Sequence, residues 1–276
     1  MSADTRILFT DLDGTLLNDA KEVTPGNQAA IDEALKKGHK IVVTTGRPLA
    51  SARVGAANAG LVKEGCYVIC FNGGMIYDPY HEKIVYGKTF SKETAVEIIK
   101  EAVKRNLHIQ GYADTHIVAL KENVELETYG KLNRLSYEIV NSAEEMVPCD
   151  PYKLIAICSD DKGKNDRFQE EVLQSRSEIV DSFFSNDAYL EIVPKGVSKG
   201  EAVRWFCDYM NIPIENSVAA GDAQNDVEML KAAHVGAVMC NAFPGIAEYG
   251  NYITEHDNNH DGVAEIIRKF ILKETD

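Results

Sequence analysis

The chain has 276 residues, of which 45% are apolar, and 29 Lys and Arg stand against 43 Asp and Glu, a formal net charge of −14. That balance argues against non-specific nucleic-acid binding, which needs basic side chains to neutralise phosphates. The length allows one large domain or two modest ones, with a core that needs no disulfide or structural metal to fold.

The six cysteines form no CxxC pair and several lie in apolar runs, so buried, reduced thiols are expected. No signal-like amino terminus and no apolar run of membrane-spanning length is present, which predicts a cytosolic (cytoplasmic) protein with no membrane partner.

In chain order, residues 7–10 form an apolar run that ends in carboxylates, predicting a buried strand. Thr24 and Pro25 suit the cap and first position of a helix. Ile31, Ala34 and Leu35 give that helix an apolar stripe, and Gly38 is a natural stop. Strands are predicted at 41–43, running into Thr44-Thr45-Gly46-Arg47, and at 67–71, running into Asn72-Gly73-Gly74. Continuously apolar strands alternating with helices predict an α/β fold with a doubly wound parallel sheet covered on both faces. Such sheets bind ligands beyond the carboxyl ends of their strands, where all three polar clusters fall.

The pattern changes after about Lys83. Residues 91–106 predict a helix with Ala95, Ile98, Ile99, Ala102 and Val103 on its buried stripe. A strand-like 116–120, a charged stretch 121–141, a strand at 152–158, a helix at 166–176 and short strands at 183–184 and 189–193 follow. These predict an α+β insert over 84–189, interrupting a core made of 1–83 and 190–276. The parallel pattern resumes with a helix at 198–210, opened by Ser198 and Glu201 as a capping box. A strand at 217–220 runs into Gly221-Asp222. A helix at 226–233, a strand at 235–239 and a last helix at 263–272 complete the core.

Four clusters carry possible chemistry. Asp11 and Asp13, two residues apart past a buried strand, concentrate negative charge that a hard cation such as magnesium resolves. Gly14 lets the chain turn away, and Thr15 is placed to hydrogen-bond locally. Thr45 and Gly46 offer a hydroxyl and an open backbone amide to a phosphate oxygen; Arg47 either contacts substrate or locks the turn. Lys199 lies at a helix start, which disfavours a cation and so points to an anionic partner. Asp222 is a third carboxylate at a strand end, whereas Asn225 or Asp226 taken alone reads as a helix cap. Asn72 and Gly73 read as a turn at the same edge that also reaches substrate. His256, His260 and Asp261 lack metal-site spacing and read as a flexible surface loop.

Together Asp11-Leu12-Asp13-Gly14-Thr15, the Thr45 strand end, Lys199 and Gly221-Asp222-Ala223-Gln224-Asn225-Asp226, in this order and at strand ends, resemble the four motifs of the haloacid dehalogenase (HAD) superfamily over nearly the whole chain. TTGRP, FNGGMIYD, LEIVPKGVSKG and DGVAEII look closest to its Cof-type, YidA-like sugar phosphatase group; Thr44 replaces the commoner Ala of ATGR. The resemblance implies a Rossmann-like core with an α+β cap inserted between the second and third motifs. It implies that Asp11 attacks phosphorus to form an aspartyl-phosphate, and that Asp13 protonates the leaving oxygen and then activates water. It also implies Mg2+ held by Asp11, the Asp13 carbonyl and Asp222, with phosphate held by the Leu12 amide, Thr45, Gly46, Lys199 and Asn225. Asp226 would support the metal indirectly. The expected function is hydrolysis of small phosphorylated metabolites, sugar phosphates foremost, with the cap excluding water and selecting among them. A phosphomutase of the same superfamily and a non-catalytic phospho-ligand-binding regulator are the alternatives. The intact Asp11, Asp13, Lys199 and Asp222 set argues against the regulator.

Overall fold

The apolar runs become strands in the computed structural model, which describes residues 4–274. β1 (Ile7–Thr10) is buried throughout. α1 (Pro25–Lys36) starts where Thr24 Oγ1 accepts the Asn27 amide at 3.4 Å, and it stops before Gly38, whose φ of 88° suits glycine alone. β2 (Lys40–Thr44), α2 (Leu49–Asn58) and β3 (Cys66–Cys70) follow. The chain then doubles back into β4 (Met75–Asp78), which pairs antiparallel with β3, and β5 (Lys83–Gly87). The sequence reading has no strand at 75–78, because Met-Ile-Tyr-Asp is too short to show a period.

Between these and the return to the first sheet lie α3 (Lys92–Lys104), β6 (His108–Tyr112), β7 (Ile117–Ala119), α4 (Val124–Asn133), β8 (Tyr137–Ile139), α5 (Ala143–Met146), β9 (Leu154–Ile157), α6 (Lys162–Phe168), β10 (Val180–Asn186) and β11 (Tyr189–Pro194). The chain closes with α7 (Lys199–Met210), β12 (Ser217–Gly221), α8 (Val227–Ala232), β13 (Val235–Val238), β14 (Tyr252–Ile253) and α9 (Gly262–Ile266). α6 and α9 each run on into a wider, π-type turn, over Gln169–Leu173 and Ile267–Leu272.

Two compact units result. The first takes the described residues up to Gly46, Arg53–Val85 and those from Ser198 on; the second takes Arg47–Ala52 and Tyr86–Val197. The first unit's sheet has the order β14-β13-β12-β1-β2-β3-β4-β5, parallel from β14 to β3. The order reverses at β1: β2 and β3 build outward on one side, β12 to β14 on the other. That is the switch point at which the carboxyl ends of β1 and β12 open a crevice. α1 packs with α9 and α7 with α8. Ser198 caps α7 by accepting the Glu201 amide at 3.1 Å, but no reciprocal capping box forms here, because the Glu201 carboxylate bonds Arg204 at 2.7 Å.

The second unit is a six-stranded, mostly antiparallel sheet ordered β10-β11-β9-β6-β7-β8, with β7 and β8 parallel. β11 lies here, although the sequence boundary puts residues from 190 in the core: Leu190 and Ile192 fill this sheet's apolar face. Ala95, Ile98, Ile99 and Ala102 of α3 join them, whereas Val103 is 49% exposed and Val96 is buried, so the stripe is rotated toward Val96. The charged stretch 121–141 holds α4 and β8, whose short apolar sets give too weak a period to read. All six cysteines are free. Cys149 and Cys240 are exposed, against expectation, since each lies in a loop just past an element. No helix among the described residues is long and apolar enough to cross a membrane.

On the other face of this sheet Lys153 and Glu191 form a buried ion pair at 2.8 Å; Ser185 Oγ donates to Glu191 at 2.9 Å, and Lys153 lies 5.3 Å from the Tyr112 ring. Removing one partner strands a buried charge. Glu191→Ala should destabilise the protein by about 3–5 kcal/mol. Replacing both residues with apolar side chains of similar size should recover most of that in chemical denaturation; equal losses in the single and double variants would contradict it.

Candidate active site

The first carboxylate is fixed by the sheet. Asp11 N donates to Ala220 O on β12 at 3.0 Å, so the parallel pairing runs one residue past β1 and leaves Asp11 8% exposed at the switch point. The chain then turns at Gly14, with φ 81°, where a Cβ would stand 2.6 Å from Asp222 Oδ2. Only glycine allows that approach. Thr15 Oγ1 next donates to Asp222 Oδ1 at 2.7 Å, so the hydroxyl expected to bond locally crosses to the end of β12.

Asp222 follows β12, and Asp226 closes the turn after it. Asp226 Oδ2 accepts the Asp222 and Ala223 amides at 3.1 and 3.0 Å, and Oδ1 takes Lys199 Nζ at 2.5 Å. Lys199 Nζ also reaches Asp11 Oδ1 at 2.6 Å. Among the described residues Asp11, Asp222 and Asp226 form a buried trio with ligand oxygens within 4.8 Å of one another. Lys199 is 2% exposed, so the helix start that disfavours a cation holds one because two carboxylates meet it.

The charges do not balance. Burial pushes Asp11 up from 3.8 to about 7, against the lowering effect of Lys199 and with Asp226 adding to the rise. Burial likewise raises Asp222 to about 6, against the Thr15 hydrogen bond. Burial by itself would lower Lys199, but Asp11 and Asp226 override it and hold the ammonium charged.

The other expected residues are placed as follows. Asp13 is not in the trio; its carboxylate is half-exposed and takes the Lys21 ammonium at 2.8 Å. Leu12 is fully buried, and its carbonyl accepts the Leu17 amide at 2.8 Å. Thr45 is buried, with its amide donating to Ile69 O at 2.8 Å and its carbonyl accepting the Asn72 amide at 3.2 Å. Asn72 lies against Gly46, and Gly73 against Ser198 O. Asn225 is half-buried in the turn beside Asp226, and Arg47 is partly exposed. Asp226 is deeper in the site than a supporting residue was expected to be.

Thr15, Lys21 and Asn241, whose Nδ2 donates to Gly14 O at 2.8 Å, were not read as site residues. Only Thr15 carried a signal, its place in the DxDGT string. His256 bonds Glu265 and His260 bonds Asp257, while Asp261 takes the Thr24 hydroxyl at 2.5 Å and the Asn27 amide at 3.2 Å. That segment ties down the start of α1 and is no loose loop.

These shifts set a sign. With Asp11 and Asp222 raised above 3.8, the folded chain holds protons that the unfolded chain has released, so stability falls as pH rises from about 4 to about 7. The metal-free thermal midpoint should decline across that window. Asp11→Asn should flatten the decline and raise the midpoint above neutrality; a variant less stable there would contradict the charge imbalance.

Comparison with known proteins gives the family. A family model described as haloacid dehalogenase-like hydrolase matches residues 8–267. The Bacillus subtilis 5-amino-6-(5-phospho-D-ribitylamino)uracil phosphatase YcsE is 29% identical, over 98% of this chain and 97% of its own. The Escherichia coli pyridoxal phosphate phosphatase YbhA is 24% identical, over 97% and 99%. The crystal structure of TM0651 from Thermotoga maritima superposes with a TM-score of 0.83 at 31% identity, covering 99% of this chain and 98% of that one. The chain belongs to the haloacid dehalogenase-like hydrolase family, among its phosphatases.

Proposed function

We propose that the protein is a magnesium-dependent phosphatase that hydrolyses small phosphorylated metabolites through an aspartyl-phosphate on Asp11. The observation that carries this is the buried trio of Asp11, Asp222 and Asp226 with Lys199 between two of its members, at the switch point of the sheet.

The residues fit a hard cation. Three oxygen donors lie close together, burial excludes water from them, and one ammonium leaves them short of positive charge. Asp226 is already occupied by Lys199 and two amides, which leaves Asp11 and Asp222 of the trio as ligands, and the family resemblance implies the Asp13 carbonyl as a third. When bound, Mg2+ supplies positive charge to the phosphoryl oxygens.

The chain's own groups perform the rest. An Asp11 carboxylate oxygen attacks phosphorus, and the ester oxygen departs with a proton from Asp13. A water then attacks the aspartyl-phosphate and gives its proton to Asp13, releasing phosphate and restoring Asp11. Lys199 orients the nucleophile and offsets charge on the transferred group, while Thr45, the Gly46 and Leu12 amides and Asn225 supply donors to it. Asp13 leaves the first step deprotonated, as the base of the second step requires, and its half-exposure beside Lys21 favours that charged form.

The named relatives act on a phosphoribityl-uracil and on pyridoxal phosphate, and the sugar phosphatase BT4131 shares the fold at a TM-score of 0.80. What they share is a phosphate monoester on a small polar body, and that is the substrate class proposed, with sugar phosphates foremost. Selection of the organic part is assigned to the inserted unit. Six free cysteines accord with a reducing, cytoplasmic setting.

Turnover of a chromogenic phosphate ester with magnesium is the direct assay. Asp11→Asn should cut it by about a thousandfold or more; no turnover, or no loss in that variant, would sink the enzyme reading. Chelation should abolish activity, and Asp222→Ala should raise the magnesium concentration needed for half-activity or eliminate turnover. Hydrolysis that persists without metal would contradict the mechanism.

A further inference from the structure

Three consecutive residues after β3 have positive φ: Phe71 at 52°, Asn72 at 57° and Gly73 at 109°. Two of them are not glycine, so the turn holds strain that its surroundings must enforce. It is gripped from both sides of the site. The Asn72 amide donates to Thr45 O at 3.2 Å, and Gly73 comes so near Ser198 O that a Cβ would overlap it. The turn thus links the strand end bearing Thr45 to the helix start bearing Lys199.

The Asn72 side chain sits inside this link and is 3% exposed. Its Oδ1 lies where a Cβ on Gly46 would be only 2.6 Å away. Its Nδ2 is buried and has no acceptor among the described residues. A buried donor without a partner is unfavourable, and a left-handed backbone on a residue with a Cβ adds to that. Glycine at this position would relieve both, with no donor to satisfy and no steric penalty. A turn that served only to reverse the chain has no need of this amide.

We propose that Asn72 contacts the ligand: its Nδ2 donates a hydrogen bond to an oxygen of the phosphoryl group bound at the Thr45–Gly46 strand end. The identity of that anion rests on the phosphatase reading. A phosphoryl group suits the position because its oxygens are acceptors, and a hydrogen bond from a buried amide to a charged oxygen is stronger than one between neutral groups. The strained turn keeps the donor in place before the ligand arrives.

The test is calorimetric binding of inorganic phosphate, in the presence of magnesium, to the full chain and to its Asn72→Gly and Asn72→Asp variants, with thermal midpoints taken alongside. Asn72→Gly should keep or raise the midpoint, because it removes strain, yet bind phosphate about tenfold more weakly or worse. Asn72→Asp should bind more weakly still, since it turns a carboxylate toward the anion. If Asn72→Asp does not fold, Asn72→Gly decides alone. Unchanged phosphate affinity in Asn72→Gly, or no phosphate binding by the unsubstituted chain, overturns the assignment. Asp11-dependent ester turnover with equal phosphate affinity in Asn72→Gly would sink this inference alone. Asn72-dependent phosphate binding without Asp11-dependent turnover would sink the phosphatase reading alone.

Discussion

The site depends on one buried ammonium. Lys199 has its side chain 1% exposed, at the positive end of a helix, and it stays there because Asp11 and Asp226 approach it at 2.6 and 2.5 Å. Neither carboxylate would keep its charge in that burial without the lysine, and the lysine would not tolerate its burial without at least one of them. The arrangement is therefore cooperative: three segments, the end of β1, the start of α7 and the turn after β12, are held in register by the same charges. The sheet makes this possible by setting β1 beside β12, with Ile7 opposite Ser217, although some two hundred residues separate them in sequence.

The same contacts leave a deficit of positive charge that bears on the proposed chemistry. Three carboxylates face one ammonium, and burial pushes Asp11 and Asp222 toward the neutral form near physiological pH. A phosphate ester brought to such a place would meet repulsion. A divalent cation held here, as proposed, would remove the repulsion, restore the carboxylates to their charged form and give the anion its partner, which would link metal and substrate affinity through the same atoms. The chain's overall charge of −14 offers no long-range attraction for an anion, which puts the burden on these local groups.

Much of this was legible because it is local. Thr24 with Pro25, Ser198 before α7 and the apolar runs of β1, β2 and β12 are short-range signals, and the polar clusters at their ends follow from the parallel pattern. What escaped the sequence is set by distant partners. Nothing near Thr15 says that its hydroxyl meets Asp222, and nothing near Asp226 says that it meets Lys199 as well as its own turn. β4 and β8 are too short for their period to stand out, Gln110 and Gly111 interrupt the apolar character of β6, and the Leu-Glu-Ile-Val run of β11 reads equally well in either sheet. Val103 fits a helical stripe by spacing alone, and only the rotation of α3 shows that it faces outward.

Four positive-φ residues, Gly14, Phe71, Asn72 and Gly73, lie at this edge, which bears on how the site keeps its shape. Gly14 turns with φ 81° directly against Asp222, and Phe71, Asn72 and Gly73 turn left-handed between Thr45 and Ser198. Each is anchored to a strand that is buried almost throughout, β1 for the first and β3 for the others. Strain persists only where its surroundings over-determine it, and the close packing of a doubly covered sheet supplies that constraint. A rigid sheet edge can then present charged and donor groups at fixed separations before any ligand is bound. For phosphoryl transfer, where catalysis is mostly positioning and charge compensation, that fixed presentation lets little reorganisation accompany the reaction itself.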